Sequence, residues 1–198
     1  MRVSVSRVIP AVVLALPLMG CLRDPYVSTA LVVRSGSSWK IDRQLDRVSG
    51  TSISLATANA MASNTNEAFP QAATLRLSCF IDKPIVSFAF EYKVGADNGS
   101  FLGYRFDEKP GHETNARFLA SARTVVIEDA AEVAQFVNEL ATSNVLYVRL
   151  RSFTAGRTTV EFKVDGAPAA IASAYQSCPV KQPEPQRVAT QSPSKRHR

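Results

Sequence analysis

Apolar and polar residues alternate through much of the chain from about residue 74 onward. Leu75, Leu77, Cys79 and Ile81 alternate with Thr74, Arg76, Ser78 and Phe80, and Val86, Phe88, Phe90, Tyr92 and Val94 hold every other position of the next run. Such a period puts each set on one face of a strand, so two neighbouring strands are predicted. Asp97-Asn98-Gly99 is a turn sequence, and residues 102–106 after it read as another strand. Short runs at 117–119 and 124–127 follow. Leu146, Val148 and Leu150 then alternate with Tyr147, Arg149 and Arg151, and Val160, Phe162 and Val164 with Thr159, Glu161 and Lys163. Thr154-Ala155-Gly156 joins these two runs as a hairpin, which would set Arg149 and Arg151 against Glu161. Upstream, Trp39 opens a strand over 39–42, and Ile53 and Leu55 mark a weaker one over 51–56. The mostly polar segments 57–71 and 107–115 read as loops.

In two places the period lengthens. Asp129 stands where a helix cap belongs, with Glu132 three residues on, and Val133, Phe136, Val137 and Leu140 then form one apolar stripe. Residues 166–177 read as a short final helix with Ile171, Tyr175 and Cys178 on one face. Strands with two helices predict an α+β, mainly β domain over residues 38–178, either an antiparallel sheet or a β-sandwich. A stretch of about 140 residues is long enough to bury a sound core.

The two ends of the chain differ from this middle. Residues 1–20 have the form of a signal peptide, with Arg2 and Arg7 ahead of an apolar run over 8–18. That run is about a dozen residues, against the roughly 20 needed to span a bilayer, and Pro10 and Pro17 interrupt it. Leu18-Met19-Gly20-Cys21 suits lipoprotein processing better than ordinary cleavage, because Leu18 stands where a small residue is wanted. Cys21 is therefore expected to carry lipid, which anchors at about 0.8 kcal/mol per buried methylene; a plain periplasmic product is the alternative. Leu22, rather than an aspartate, follows. By analogy with enteric bacteria that neighbour places the protein on the periplasmic face of the outer membrane. Residues 21–37 then act as a tether. Residues 179–198, rich in Pro, Gln and Ser, lack the apolar residues that folding requires and are expected to be a disordered basic tail. The tail reads first as a solubilising extension and second as a contact for anionic envelope components.

With Cys21 assigned to lipid, Cys79 and Cys178 remain as a pair in an oxidising compartment and are expected to bond to each other. A metal site would need more ligands than these two and the available histidines supply. The formal charge of +6 is carried by the ends, since Arg2 and Arg7 lie in the leader and Lys181, Arg187, Lys195, Arg196 and Arg198 outweigh Glu184 in the tail. The domain between is near neutral, without the electrostatic footprint of a nucleic-acid binder.

No nucleophile elbow, zinc-protease helix, phosphate loop or paired-cysteine redox motif occurs. The domain's single histidine, His112, has Asp107, Glu108 and Glu113 nearby and could act as a general base or a metal ligand. A solvated loop histidine is the commoner outcome. No catalytic residue, cofactor or metal is expected. Trp39 reads as core before binding anchor. Tyr104, Arg105 and Asp107 form a denser polar-aromatic run than a strand requires and are the candidate partner surface.

In order, Trp39-Lys40-Ile41, Leu75-Arg76-Leu77-Ser78-Cys79, Tyr104-Arg105-Phe106-Asp107, Leu146-Tyr147-Val148-Arg149, Val160-Glu161-Phe162, Gly166 and Cys178 resemble the VasI or TagO family of type VI secretion-associated accessory proteins. The resemblance covers roughly 39–178. It departs where family members carry a further cysteine-bearing segment before the tryptophan and a Cys-Trp end, since here Pro179 follows Cys178. It implies a periplasmic accessory or binding module rather than a catalyst. Three readings follow: an envelope lipoprotein that binds an envelope protein, a small ligand-binding or enzyme-inhibiting module, and a hydrolase built on His112. Intact mass of the membrane-extracted protein is expected to show acyl chains on Cys21 and one disulfide opened by reductant. An unacylated mass would remove the anchor.

Overall fold

The computed structural model describes residues 38–180 apart from 46, 47, 49, 51, 96–99, 115 and 120, so Cys21, the tether and the basic tail beyond 180 lie outside the described residues. The elements are β1 Trp39–Leu45, β2 Ser52–Asn64, β3 Gln71–Phe80, β4 Lys83–Phe90, β5 Phe101–Phe106, β6 His112–Thr114, β7 Arg117–Phe118, β8 Thr124–Ile127, α1 Ala130–Leu140, β9 Val145–Ser152, β10 Gly156–Lys163 and α2 Ala167–Ala174. All pairings are antiparallel in one sheet ordered β6-β5-β9-β10-β2-β3-β4-β8-β7. The mainly β expectation with two helices is met by one curled sheet, not a sandwich.

β6 and β7 stand at opposite ends of this sheet, yet only two residues separate Thr114 from Arg117. Three Cα steps of about 3.8 Å reach no more than about 11 Å, so the sheet must curl until its ends approach. The result is a half-barrel.

β2 divides the sheet. It runs for 13 residues, pairs with β3 along one edge and shares the other between β1 over 52–58 and β10 over 62–64. This overturns the loop expected over 57–71. Ala56, Ala58 and Ala62 face inward while Asn59, Met61 and Ser63 face out, an alternation in which alanine carries little hydrophobic or strand-forming weight. The small side chains let α2 lie close, through its own buried Ala167, Ala170 and Ala174. The run over 74–81 ends early for a different reason: Ile81 and Asp82 have φ of 46° and 58° and form the turn between β3 and β4, leaving Ile81 exposed.

α1 fills the hollow. Asp129 accepts from the backbone N–H groups of Ala131 at 2.9 Å and Glu132 at 3.1 Å, the cap expected for it. Val133, Phe136, Val137 and Leu140 are all buried. The Phe136 ring lies edge-on to Tyr104 and Phe106 of β5, each at 5.0 Å, and to Phe88 of β4 at 6.1 Å. One side chain thus touches both limbs of the curl. Trp39 is core, donating its indole N–H to the Val164 carbonyl at 3.1 Å.

Cys79 on β3 and Cys178 beyond α2 form a disulfide across 99 residues of sequence. Beside it the buried Tyr175 donates its hydroxyl to the Ile85 carbonyl at 2.9 Å. Both contacts hold the end of α2 to the β3–β4 hairpin.

Phe136→Ala is expected to destabilise the domain by about 3–5 kcal/mol, and reduction of the bridge by about 2–5 kcal/mol. Urea titrations compared with those of the exposed-site variant Phe153→Ala, expected to stay within about 0.5 kcal/mol, check both.

Candidate functional site

The three residues read as a partner surface take three different positions, because strand alternation separates them. Tyr104 points inward from β5, buried against Phe106 and Phe136, with its ring 5.1 Å from that of His112. Arg105 points outward, its guanidinium 4.9 Å from the centre of the Tyr147 ring. Asp107, at φ 45°, accepts from the backbone N–H of Val145 at 2.9 Å and of Asn144 at 3.1 Å, which clamps the start of β9. Of the three, Arg105 is the exposed one.

His112 does not sit in a loop. It belongs to β6, pairs with Tyr104 of β5 and faces α1, where its Nε2 lies 2.9 Å from Glu139 Oε1 and its Nδ1 3.1 Å from Gln135 Nε2. Thr114, two residues on, bonds to the Glu132 carboxylate. Lys109 Nζ donates to the Glu139 carbonyl at 3.3 Å and to the hydroxyls of Thr142 at 2.8 Å and Ser143 at 2.9 Å, at the C-terminal end of α1. These contacts clasp the β5–β6 limb onto the helix. Among the described residues the imidazole's hydrogen-bond partners are Glu139 and Gln135, which orient it against α1.

The outward face of β5, β6, β9 and β10 differs from the rest. Register sets Glu113, Gly103, Arg149 and Thr159 in one row, Phe101, Arg151 and Arg157 in the next, and Arg105, Tyr147 and Glu161 on the other side. The expected pairing of Arg149 and Arg151 with Glu161 is therefore not formed. Ser152 pairs with Gly156, which fixes Arg151 opposite Arg157, while both Arg149 and Arg151 lean toward Glu113 at 3.8 and 3.9 Å. A groove of about 440 Å³ lies along Gly103, Arg105, Glu113, Tyr147 and Arg149. Like charges directly opposite each other weaken a sheet, so Arg151 and Arg157 contribute nothing to this one.

A second opening, of about 810 Å³, lies where the turn after β2 meets the end of β4, lined by Asn64, Glu67, Glu91, Tyr92, Lys93 and Arg123. The buried Tyr92 hydroxyl has no hydrogen-bond partner of good geometry. Burial raises its pKa, and the neighbouring Thr158 hydroxyl only partly offsets this. Among the described residues no three His, Cys, Asp or Glu side chains gather as a metal site, and no helix is long and apolar enough to cross a membrane.

Fold and surface together define a small disulfide-closed half-barrel with an arginine- and aromatic-bearing outer face. No protein-family model, curated protein or solved structure matches the chain.

Burial raises the pKa of Tyr104 and of Tyr175, and the Glu139 and Glu132 carboxylates raise Tyr104 further. Groups that hold their protons more tightly when folded contribute stability that is present below the unfolded value of about 10 and is lost as pH rises above it. Urea midpoints are therefore expected to fall above pH of about 10, and to fall less steeply for Tyr104→Phe with Tyr175→Phe.

Proposed function

We propose that this protein is a non-catalytic lipoprotein of the bacterial cell envelope, anchored through Cys21 at the periplasmic face of the outer membrane, that binds a protein partner through its outer sheet face. The observation that carries the reading is the composition of that face. Arg105, Arg149, Arg151 and Arg157 stand with Tyr147 and Phe101 on adjacent strands, against the carboxylates of Glu113 and Glu161. Arginine and aromatic side chains are the types enriched at protein interfaces. The leader, the lipid signal and the Cys79–Cys178 bridge support an oxidising, extracytoplasmic address. The motif order that resembles the VasI or TagO family favours a secretion-associated assembly. His112 serves the fold in this reading, as the clasp between β6 and α1.

A second reading, a small-ligand or inhibitor module, is favoured by the polar opening around Tyr92. Photo-crosslinking in cells separates the two. A crosslinker at position 147 is expected to capture an envelope protein, with or without the basic tail, whereas one at Lys93 is not. Capture from Lys93 alone would favour the second reading. His112→Ala is expected to cost about 1 kcal/mol of stability and to leave the captured partner unchanged. Loss of a hydrolytic activity in that variant would instead restore the third reading.

A further inference from the structure

We propose, resting on the outer-face reading, that the end of the β9–β10 hairpin docks an acidic segment of the protein partner, one whose carboxylates are flanked by apolar side chains. A depression of about 390 Å³ lies there, lined by Phe101, Arg151, Ser152, Phe153, Gly156 and Arg157. Phe101 is 54% exposed and Phe153 89% exposed, so both rings leave apolar surface open to a partner. Arg151 has Phe101 as its pairing partner on one side and Arg157 on the other. Its nearest carboxylate is Glu113 at 3.9 Å, and among the described residues the Arg157 guanidinium forms no ion pair. Two arginines at directly paired positions line this one depression; their guanidinium groups suit one or two carboxylates, and the two rings offer apolar contact beside them.

The turn that presents these groups is held rigid. Ser152 Oγ accepts from the N–H groups of Ala155 at 3.0 Å and Thr154 at 3.2 Å. Asn64 donates to the Ala155 carbonyl at 2.8 Å, and Thr65 exchanges hydrogen bonds with the Arg157 backbone, 3.0 Å each way. Gly156, at φ 75°, sits where a Cβ would fall 2.3 Å from Thr65 Oγ1, so the tight approach of the two turns requires glycine. A fixed turn spares a binding partner the cost of ordering it.

Charge and position choose among occupants. The chain's own tail is basic, and a second copy docked face to face would present the same arginines, so both are repelled. The chain enters the domain at Ser38, whose hydroxyl bonds to Asp165 just past the far end of β10, and that strand's 8 residues separate entry from hairpin turn by roughly 26 Å. The docking end therefore lies at the opposite end of β10 from Ser38.

The test uses the detergent-extracted full chain, a labelled synthetic peptide alternating Glu with Leu and Phe, and a Lys-for-Glu counterpart. The acidic peptide is expected to bind in a salt-sensitive way and the basic one not at all. Arg151→Glu with Arg157→Glu should weaken binding by about tenfold or more, the neutral pair Arg151→Gln with Arg157→Gln by less, and Phe153→Ala severalfold; Arg76→Glu on β3 should change nothing. Equal peptide binding by wild type and the double variant would overturn the proposal. So would tighter, arginine-dependent binding to phosphatidylglycerol vesicles than to the peptide, which would make the ligand a lipid headgroup. If position 147 still captures its partner in cells carrying Arg151→Glu with Arg157→Glu, the hairpin inference falls while the outer-face reading stands. If nothing is captured in the wild type, the reading itself falls.

Discussion

A sheet that curls until its ends approach, without closing its hydrogen-bond ladder, depends on what fills the curl. Here that filling turns on Phe136. Its ring contacts Phe88 on one limb and Tyr104 and Phe106 on the other, and Phe88 also approaches Phe162 of β10 at 6.2 Å across the hollow. The backbone joins the limbs locally through the short link between β6 and β7, but the separation between them is set by these rings. The polar clasp of His112, Gln135, Glu139, Thr114 and Glu132 lies at the rim of the same contact and orients the helix rather than supplying the bulk of its burial.

The second half of the molecule uses the opposite device. Where α2 crosses β2, small residues meet small residues, and little apolar volume is available to hold the helix. The Cys79–Cys178 bridge and the Tyr175 hydrogen bond act at the end of that helix, where packing alone is thinnest. Large aromatic rings on one side and a covalent link on the other thus share the work of holding two helices inside one sheet. The arginine-bearing face lies outside both, so its composition is free of the core's demands.

The elements most legible in the amino-acid order were those whose inward positions are large. β3, β4, β9, β10 and α1 all announce themselves through Leu, Val and Phe at the right period, and the cysteine pairing followed from counting. β2 escaped because its inward positions are alanine, and β6 because three residues, His112 to Thr114, carry no period and become a strand only by pairing with β5. The outer face is less legible than the core. Tyr104, Arg105 and Asp107 read as one polar-aromatic run, although the alternation around Leu102 and Phe106 assigns Tyr104 inward and only Arg105 faces out. The pairing of Arg151 with Arg157 depends on a three-residue loop closed at Gly156 with positive φ. Glycine directly after Thr154-Ala155 was the available signal for that register.

The terminal strands of the sheet are also its shortest, three residues in β6 and two in β7. Because they follow one another in the chain, each is anchored by the other's position, and neither offers a long row of unpaired backbone groups. The free edge of β1 is longer, but Lys40, Asp42 and Arg43 interrupt it with charge. Exposed strand edges are where separate molecules add to one another's sheets. The same connectivity that curls the sheet therefore guards against edge-to-edge aggregation.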